Sequence, residues 1–158
     1  MKQQKTNVMR LLDSAGIRYE AKCYTPDEDD LSGTHIAEQI GLPPEQVFKT
    51  LVLRGERHGV SVFCLPADRT VDLKRAAELA GEKKIEMVPV RELLALTGYI
   101  RGGCSPIGMR KQFPVFIEKS CRSFERITIS AGVRGIQLLI RTDDLIRFTG
   151  AKEVSVAI

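Results

Sequence analysis

The sequence is poor in the residues from which metal and redox sites are most often built. It contains two histidines, at positions 35 and 58, and four cysteines, none of which forms a C-x-x-C pair. No Cys/His spacing is typical of a structural zinc site, so we expect neither a metal nor another cofactor. Isolated cysteines favour reduced thiols and therefore a cytoplasmic location.

Long apolar segments and strong net charge are also missing. A membrane-spanning helix needs about 20 consecutive apolar residues, and the sequence has no such run. The first residues are polar and lead into an amphipathic pattern, which is not typical of a signal peptide, so we expect no membrane partner. The net charge of +4 is compatible with a polyanionic partner but does not demonstrate one.

The apolar spacing predicts short helices and strands in irregular alternation. This order lacks the regular βαβ alternation of a doubly wound fold, so we expect one α+β domain over residues 1–158, with helices packed on a mixed sheet. Thr142 is predicted to cap the last helix, and 55–59 to be a five-residue hairpin loop. Helices are predicted over 5–15, 36–40, 73–80, 90–97 and from 142, and strands over 18–24, 47–54, 60–66, 84–88, 113–118, 126–130, 136–140 and 154–158.

Lys49 is the first candidate site residue. On a strand over 47–54 its side chain projects with those of Val47, Leu51 and Leu53, because successive side chains alternate between the two faces. An unpaired ammonium among aliphatic groups is costly, so this lysine must reach a counter-charge, a hydrogen-bonding cluster or a cleft. The structural alternative is a lysine whose stem lies on the core while its amine reaches water.

The segment YIRGGCSPIG at 99–108 is the second candidate. Gly102 and Gly103 permit backbone conformations closed to other residues and allow a ligand to approach the main chain. Successive N–H groups from Gly102 to Ser105 would then point at one oxygen atom, as in an oxyanion hole. A plain glycine-rich connection into a strand is the alternative.

Two further features have an ordinary structural alternative. The turn SAGVRG at 130–135 offers a hydroxyl, backbone amides and a guanidinium, but taken alone it is better explained as a hairpin turn with an exposed arginine. Cys104 is a candidate nucleophile, although the sequence identifies no histidine partner and a buried free cysteine is usually inert. A candidate basic face for phosphates, or ordinary solvated charge, is formed by Lys74, Lys83, Lys84, Arg101, Arg110 and Lys111.

Together these segments resemble the YbaK/EbsC family, the free-standing aminoacyl-tRNA deacylases related to the editing insertion of bacterial prolyl-tRNA synthetases. The resemblance covers almost the whole chain and depends on several motifs in the same order. It implies a single editing domain with a strongly curved mixed sheet and flanking helices. The motifs are GLPPEQVFKTL at 41–51, VDLK at 71–74, KKIEM at 83–87, TGY at 97–99, GGCSPIG at 102–108 and SAGVRG at 130–135.

The resemblance also implies roles for individual residues. Lys49 matches the family's essential catalytic lysine, and neither a metal nor a cofactor is implied. At one position the chain departs from the family, which has an aspartate where this chain has Gln137. A neutral amide cannot act as a base or a counter-charge, so this departure bears on the choice of substrate or on the rate of the reaction. The implied substrate-binding residues are Tyr24, Thr50, Gly102, Gly103, Cys104, Ser105, Ser130, Gly132 and Arg134.

The implied activity is trans-editing, the hydrolysis of mischarged aminoacyl-tRNA held by its 3′-terminal adenosine, with prolyl-tRNA synthetase as a candidate partner. The Ser-Pro-Ile form of the 102–108 loop is similar to that of the Cys-tRNA deacylases, which act on Cys-tRNA(Pro) and Cys-tRNA(Cys). In that branch the cysteinyl thiol attacks its own ester, a lyase-type cyclisation that needs no protein nucleophile. The alternatives are an Ala-tRNA deacylase, a non-catalytic module that binds tRNA or a synthetase, and a thiol hydrolase acting through Cys104.

Overall fold

Short helices and strands alternate along the chain. The computed structural model describes residues 5–158; residues 1–4, part of the polar amino-terminal stretch, lie outside it. Every α-helix in the described part has eight residues, too short to cross a bilayer. The helices are α1 (Asn7–Ser14), α2 (Gly33–Ile40), α3 (Leu73–Ala80), α4 (Val90–Thr97) and α5 (Thr142–Thr149); the strands are β1 (Tyr19–Cys23), β2 (Phe48–Gly55), β3 (Gly59–Pro66), β4 (Ile85–Met87), β5 (Val115–Glu118), β6 (Arg126–Ser130), β7 (Ile136–Arg141) and β8 (Lys152–Val154).

The helix boundaries are set by capping residues. α3 begins at the predicted N-cap Asp72, whose side chain accepts a hydrogen bond from the N–H of Arg75 at 3.1 Å. α2, α3 and α4 end at the predicted glycines, 41, 81 and 98, all with the positive φ that favours glycine. The predicted cap at Thr142 is wrong: this residue is the first of α5, and its hydroxyl donates to the carbonyl of Phe124 at 2.8 Å.

The strands form two sheets. One is antiparallel, in the order β1-β7-β6, and the other is mixed, in the order β4-β2-β3-β5-β8. An α+β fold with a mixed sheet and flanking helices is therefore confirmed. The predicted strong curvature of one sheet was overstated, because the strands form two open sheets and β1 pairs with β7 in the antiparallel one. Gly55 pairs with Gly59, which shortens the predicted hairpin loop to three residues, and β8 begins and ends earlier than predicted.

The main hydrophobic core contains residues from both sheets. Phe48 and Val62 of the mixed sheet pack in one cluster with Ile129 and Leu138 of the antiparallel sheet, and α1 and α5 contribute to the same cluster. The other face of the mixed sheet packs against α3, where Phe63 stacks on Phe116 with ring centroids 4.7 Å apart. Burial on both faces fixes the position of β2, the strand that carries Lys49.

Candidate active site

A cavity of about 350 Å³ lies between β2 and the antiparallel sheet. Among the described residues, those that line it include no aspartate or glutamate, and two of them, Lys49 and Arg101, are cationic. The charged side chains of the lining are therefore all positive, and most of the remaining lining is apolar. The polar side chains that line it are Ser32, Lys49, Thr50, Arg101, Cys104, Ser130 and Gln137.

The cavity forms where β4 leaves the edge of β2 uncovered. β4 pairs with β2 only from Leu53 to Gly55, and one more bond joins the N–H of Val88 to the carbonyl of Val52 at 3.0 Å. Alternate residues of a strand direct their backbone groups to the same edge. The main-chain N–H and C=O of Thr50, two residues before Val52, are consequently directed to this uncovered edge.

The amine of Lys49 is held by main-chain carbonyl groups. It donates to the carbonyl of Arg69 at 2.5 Å, and the carbonyl of Ala67 is 3.5 Å away. Burial lowers the pKa of the half-buried ammonium, and the nearby carboxylate of Asp68 opposes that shift. Two of its three protons are therefore directed at the 67–69 backbone, while the third has no acceptor among the described residues.

The 67–70 segment next to Lys49 is itself hydrogen-bonded to the carboxyl-terminal residues. The guanidinium of Arg69 donates to the carbonyl groups of Ile158 at 2.9 Å and Ala157 at 3.1 Å. The N–H of Ile158 donates to the carbonyl of Thr70 at 2.7 Å, and the N–H of Asp72 to that of Val156, also at 2.7 Å. The position of the Lys49 amine thus depends on contacts outside the cavity.

The glycine-rich segment contributes only part of its backbone to the cavity. Gly102 and Cys104 line it, whereas the N–H of Gly103 donates to the carbonyl of Ile100 at 2.9 Å and closes a turn. Ser105 is fully buried, and its hydroxyl accepts from the N–H of Ile107 at 3.4 Å. The expectation that all N–H groups from Gly102 to Ser105 converge on one oxygen is therefore wrong, because the turn uses that of Gly103.

The turn 130–135 supports the glycine-rich segment more than it lines the cavity. Ser130 lines it, but a Cβ added at Gly132 would lie 3.0 Å from the ring of Tyr99, on the core side. Arg134 donates through Nε to the carbonyl of Arg101 at 2.8 Å and so braces the bend. Tyr24 is not among the lining residues; its N–H donates to the carbonyl of Gly135 at 2.9 Å.

The environment of Cys104 does not suit a nucleophile. Burial raises the pKa of its thiol to about 11, and a hydrogen bond with Thr97 offsets this only in part. Sγ lies 3.7 Å from the carbonyl of Ile100. Neither His35 nor His58 lines the cavity, so no imidazole is placed to activate the thiol.

Gln137 lies in the cavity wall with 4% of its surface exposed. The hydroxyl of Thr128 donates to its Oε1 at 3.0 Å, which directs Nε2 away from Thr128. Nε2 has no acceptor among the described residues. Ser130 is the cross-strand partner of Gln137, so their side chains lie on the same face.

The sequence analysis did not identify the apolar residues that line the cavity. The start of α2 contributes Gly33 and Ile36, and the segment 87–93 contributes Met87 and Val90. The sequence shows only the glycine at position 33, and the structure gives its reason: a Cβ added at Gly33 would lie 2.6 Å from that of Ala67, so the close approach of α2 to Ala67 requires glycine. Of the predicted basic face, only Arg101 lines the cavity.

Comparisons with known proteins agree with this fold. The family described as "Aminoacyl-tRNA editing domain" matches residues 30–148. The "Putative Cys-tRNA(Pro)/Cys-tRNA(Cys) deacylase EbsC" of Enterococcus faecalis is 40% identical over 150 residues, which are 95% of this chain and 92% of that protein. A proline–tRNA ligase of Shouchella clausii is 29% identical over 99 residues, which are 63% of this chain and 17% of the ligase.

Solved structures share the fold at low sequence identity. The crystal structure of "a putative trans-editing enzyme for prolyl tRNA synthetase" superposes with a TM-score of 0.83 at 20% identity, covering 99% of both chains. The fold and the sequence matches together define an editing module related to part of a tRNA synthetase. The chain belongs to the aminoacyl-tRNA editing domain family.

Proposed function

We propose that this protein removes cysteine from mischarged tRNA in trans, acting on Cys-tRNA(Pro) and Cys-tRNA(Cys), with Lys49 as its catalytic residue. The observation that carries the proposal is the amine of Lys49, fixed by two carbonyl groups beside a cavity of about 350 Å³. Ligand pockets span about 300–1,000 Å³, so this one suits an amino acid and its ester but not the body of a tRNA. The identity to EbsC over nearly the whole chain supports cysteine as the amino acid.

The shape of the cavity supports one orientation of the substrate. The tRNA body must remain outside, so the ribose of the terminal adenosine lies at the mouth and the amino acid points inward. Arg101 is exposed, lines the cavity and makes no ion pair within residues 5–158, so it is available to a phosphate. Met87 and Val90 are exposed apolar side chains that also line the cavity and offer a surface to the adenine.

The substrate supplies the nucleophile in the proposed reaction. The cysteinyl thiol loses its proton to water, and its sulfur forms a bond to the ester carbonyl carbon. The bond from that carbon to the ribose oxygen breaks, and the oxygen takes up a proton from water. Water then hydrolyses the resulting thiolactone to cysteine.

The protein contributes position and charge to this reaction. The Lys49 ammonium has one proton without an acceptor in the described structure, and the N–H groups of Gly102 and Cys104 likewise have none. These groups would stabilise the carbonyl oxygen as it becomes negative. Ser130 and Thr50 would contact the amino acid from the strand side, while Gly103, Ser105, Gly132, Arg134 and Tyr24 would act by shaping the surrounding backbone.

The remaining aspects of the proposal concern context. We propose that residues 1–158 act as one editing domain in the cytoplasm, where prolyl-tRNA synthetase would supply the mischarged tRNA. Because the net charge is only +4, we expect weak binding to naked tRNA at physiological salt. Delivery of the mischarged tRNA by the synthetase would compensate for this weak binding.

A panel of purified tRNAs tests the function. Cysteine, alanine, serine and proline are each charged on the same tRNA(Pro), and their release is measured with and without the protein. We expect rapid release of cysteine and slow release of the others. Release of alanine alone would indicate the Ala-tRNA type, and binding without release of any amino acid would indicate a non-catalytic module.

A further inference from the structure

Two side chains at the antiparallel-sheet side of the cavity have donor groups without acceptors. Gln137 and Ser130 are cross-strand partners on β7 and β6, and their exposed fractions are 4% and 6%. Ser130 already accepts a hydrogen bond from the N–H of Gly132 at 3.1 Å, so its own proton remains available. The Nε2 group of Gln137 also has no acceptor within residues 5–158.

The orientation of the Gln137 amide is fixed by its neighbour. Thr128 is fully buried, and its hydroxyl donates to Oε1 of Gln137 at 3.0 Å. Since Oε1 is occupied, Nε2 is the end that meets the cavity. Nε2 is thus open to the cavity and can donate to an acceptor atom of a ligand bound there.

The charges around the cavity limit which atom of an aminoacyl ester that can be. An α-ammonium group is itself a donor, and no described carboxylate lines the cavity to pair with it. The ammonium is better placed at the uncovered edge of β2, where the main-chain carbonyl of Thr50 can accept. The ester and ribose lie toward Lys49 and the mouth, so the inward-pointing side chain reaches Gln137.

Building on the proposed function, we propose that Gln137 is a specificity-determining residue whose Nε2 donates to an acceptor at the γ position of the aminoacyl side chain. The acceptor is the sulfur of cysteine or the oxygen of serine, and alanine has no such atom. A site that hydrogen-bonds a substrate group discriminates strongly against analogues that lack the group, because its own polar atoms are then left unpaired.

The same contact favours the ionised form of a cysteine side chain. A thiolate accepts hydrogen bonds from Gln137 and Ser130 and is attracted by the Lys49 ammonium. The donor at this position therefore serves both the choice of amino acid and the readiness of the sulfur to attack.

Non-hydrolysable analogues separate binding from turnover. Cysteine, serine and alanine are each joined by an amide bond to 3′-amino-3′-deoxyadenosine, and binding to the full chain is measured by calorimetry. The variants are Gln137→Met, which keeps the length of the side chain, and Gln137→Glu, which replaces the donor by a carboxylate. Gln46→Met is the matched control, because the Gln46 amide donates to the carbonyl of Arg126 at 2.8 Å and does not line the cavity.

We expect Gln137→Met to weaken binding of the cysteine analogue about 10-fold, as for the loss of one good hydrogen bond, with no more than a twofold change for the alanine analogue. Gln137→Glu also removes the donor and should weaken binding of the cysteine analogue by a similar factor, and Gln46→Met should change the binding of neither analogue. Gln137→Met should also weaken binding of the serine analogue, because its oxygen accepts at the same γ position. Equal losses for the cysteine and alanine analogues would overturn the specificity role, whereas a wild-type protein that deacylates no aminoacyl-tRNA would overturn the proposed function instead.

Discussion

Arg69 links the carboxyl-terminal residues to the backbone that holds the catalytic lysine, and Arg69→Met tests whether that link matters. The substitution removes two hydrogen bonds, to the carbonyl groups of Ile158 and Ala157. At about 0.5–1.5 kcal/mol each, their loss should lower the free energy of unfolding by about 1–3 kcal/mol. A chain of this size should then lose roughly 2–10 °C in Tm.

The same variant should affect catalysis without touching the substrate. The carbonyl of Arg69 accepts from the Lys49 amine, so a looser 67–70 segment lets the amine sample other positions. We expect kcat/KM for Cys-tRNA to fall about fivefold, corresponding to about 1 kcal/mol, with kcat affected more than KM.

Urea unfolding and single-turnover deacylation at 25 °C measure the two effects of Arg69→Met. Arg75→Met is the control, because Arg75 also donates to a carboxyl-terminal carbonyl, that of Ser155 at 3.3 Å, but belongs to α3. This control should leave kcat/KM unchanged. If Arg69→Met lost stability yet retained wild-type deacylation, the proposed connection between the carboxyl-terminal residues and Lys49 would be refuted.

Three further predictions follow from burial and charge. Cys104→Ser should retain most deacylation, and a complete loss of activity would restore Cys104 as the candidate nucleophile. Because the pKa of the Cys104 thiol is raised to about 11, only about one molecule in a thousand carries a thiolate there at pH 8, so iodoacetamide should label the exposed Cys23 first. Burial opposes ionisation of Glu118, but three backbone N–H donors outweigh it and lower the pKa of this carboxyl group. Glu118→Gln should therefore lower the free energy of unfolding by about 1–3 kcal/mol at pH 7, and urea titrations should show this difference shrinking below about pH 4.5. A difference that does not change with pH would contradict this prediction. Burial lowers the pKa of Lys49, so NMR of ¹³C-labelled lysine should show it losing its proton below the ordinary value of 10.5, whereas an unshifted titration would place it in water.

Local signals predicted most of the secondary structure. Glycines at 41, 81 and 98 and the cap at Asp72 have meanings that depend only on neighbouring residues, and the structure confirms them. Which strands pair is a long-range matter. β1 pairs with β7, more than a hundred residues away, and no local pattern distinguishes that partner from β2.

The candidate site was predictable in part. A lysine among aliphatic residues and a double glycine both led to residues that line the cavity, Lys49 and Gly102. The partners of the lysine were not predictable, because they are backbone carbonyl groups, which every residue carries. The closure of a turn by Gly103 likewise depends on the conformation of the whole bend rather than on residue types.

Deacylation of Cys-tRNA(Pro) by Lys49→Met, which keeps the stem but removes the charge, tests the central claim most directly. Lys74→Met, on the exposed surface of α3, is the matched control. We expect Lys49→Met to lower kcat by at least about 100-fold, as for the loss of a group that stabilises developing charge, with its Tm unchanged or higher and Lys74→Met at the wild-type rate. A folded Lys49→Met protein that releases cysteine within threefold of the wild-type rate would contradict the account.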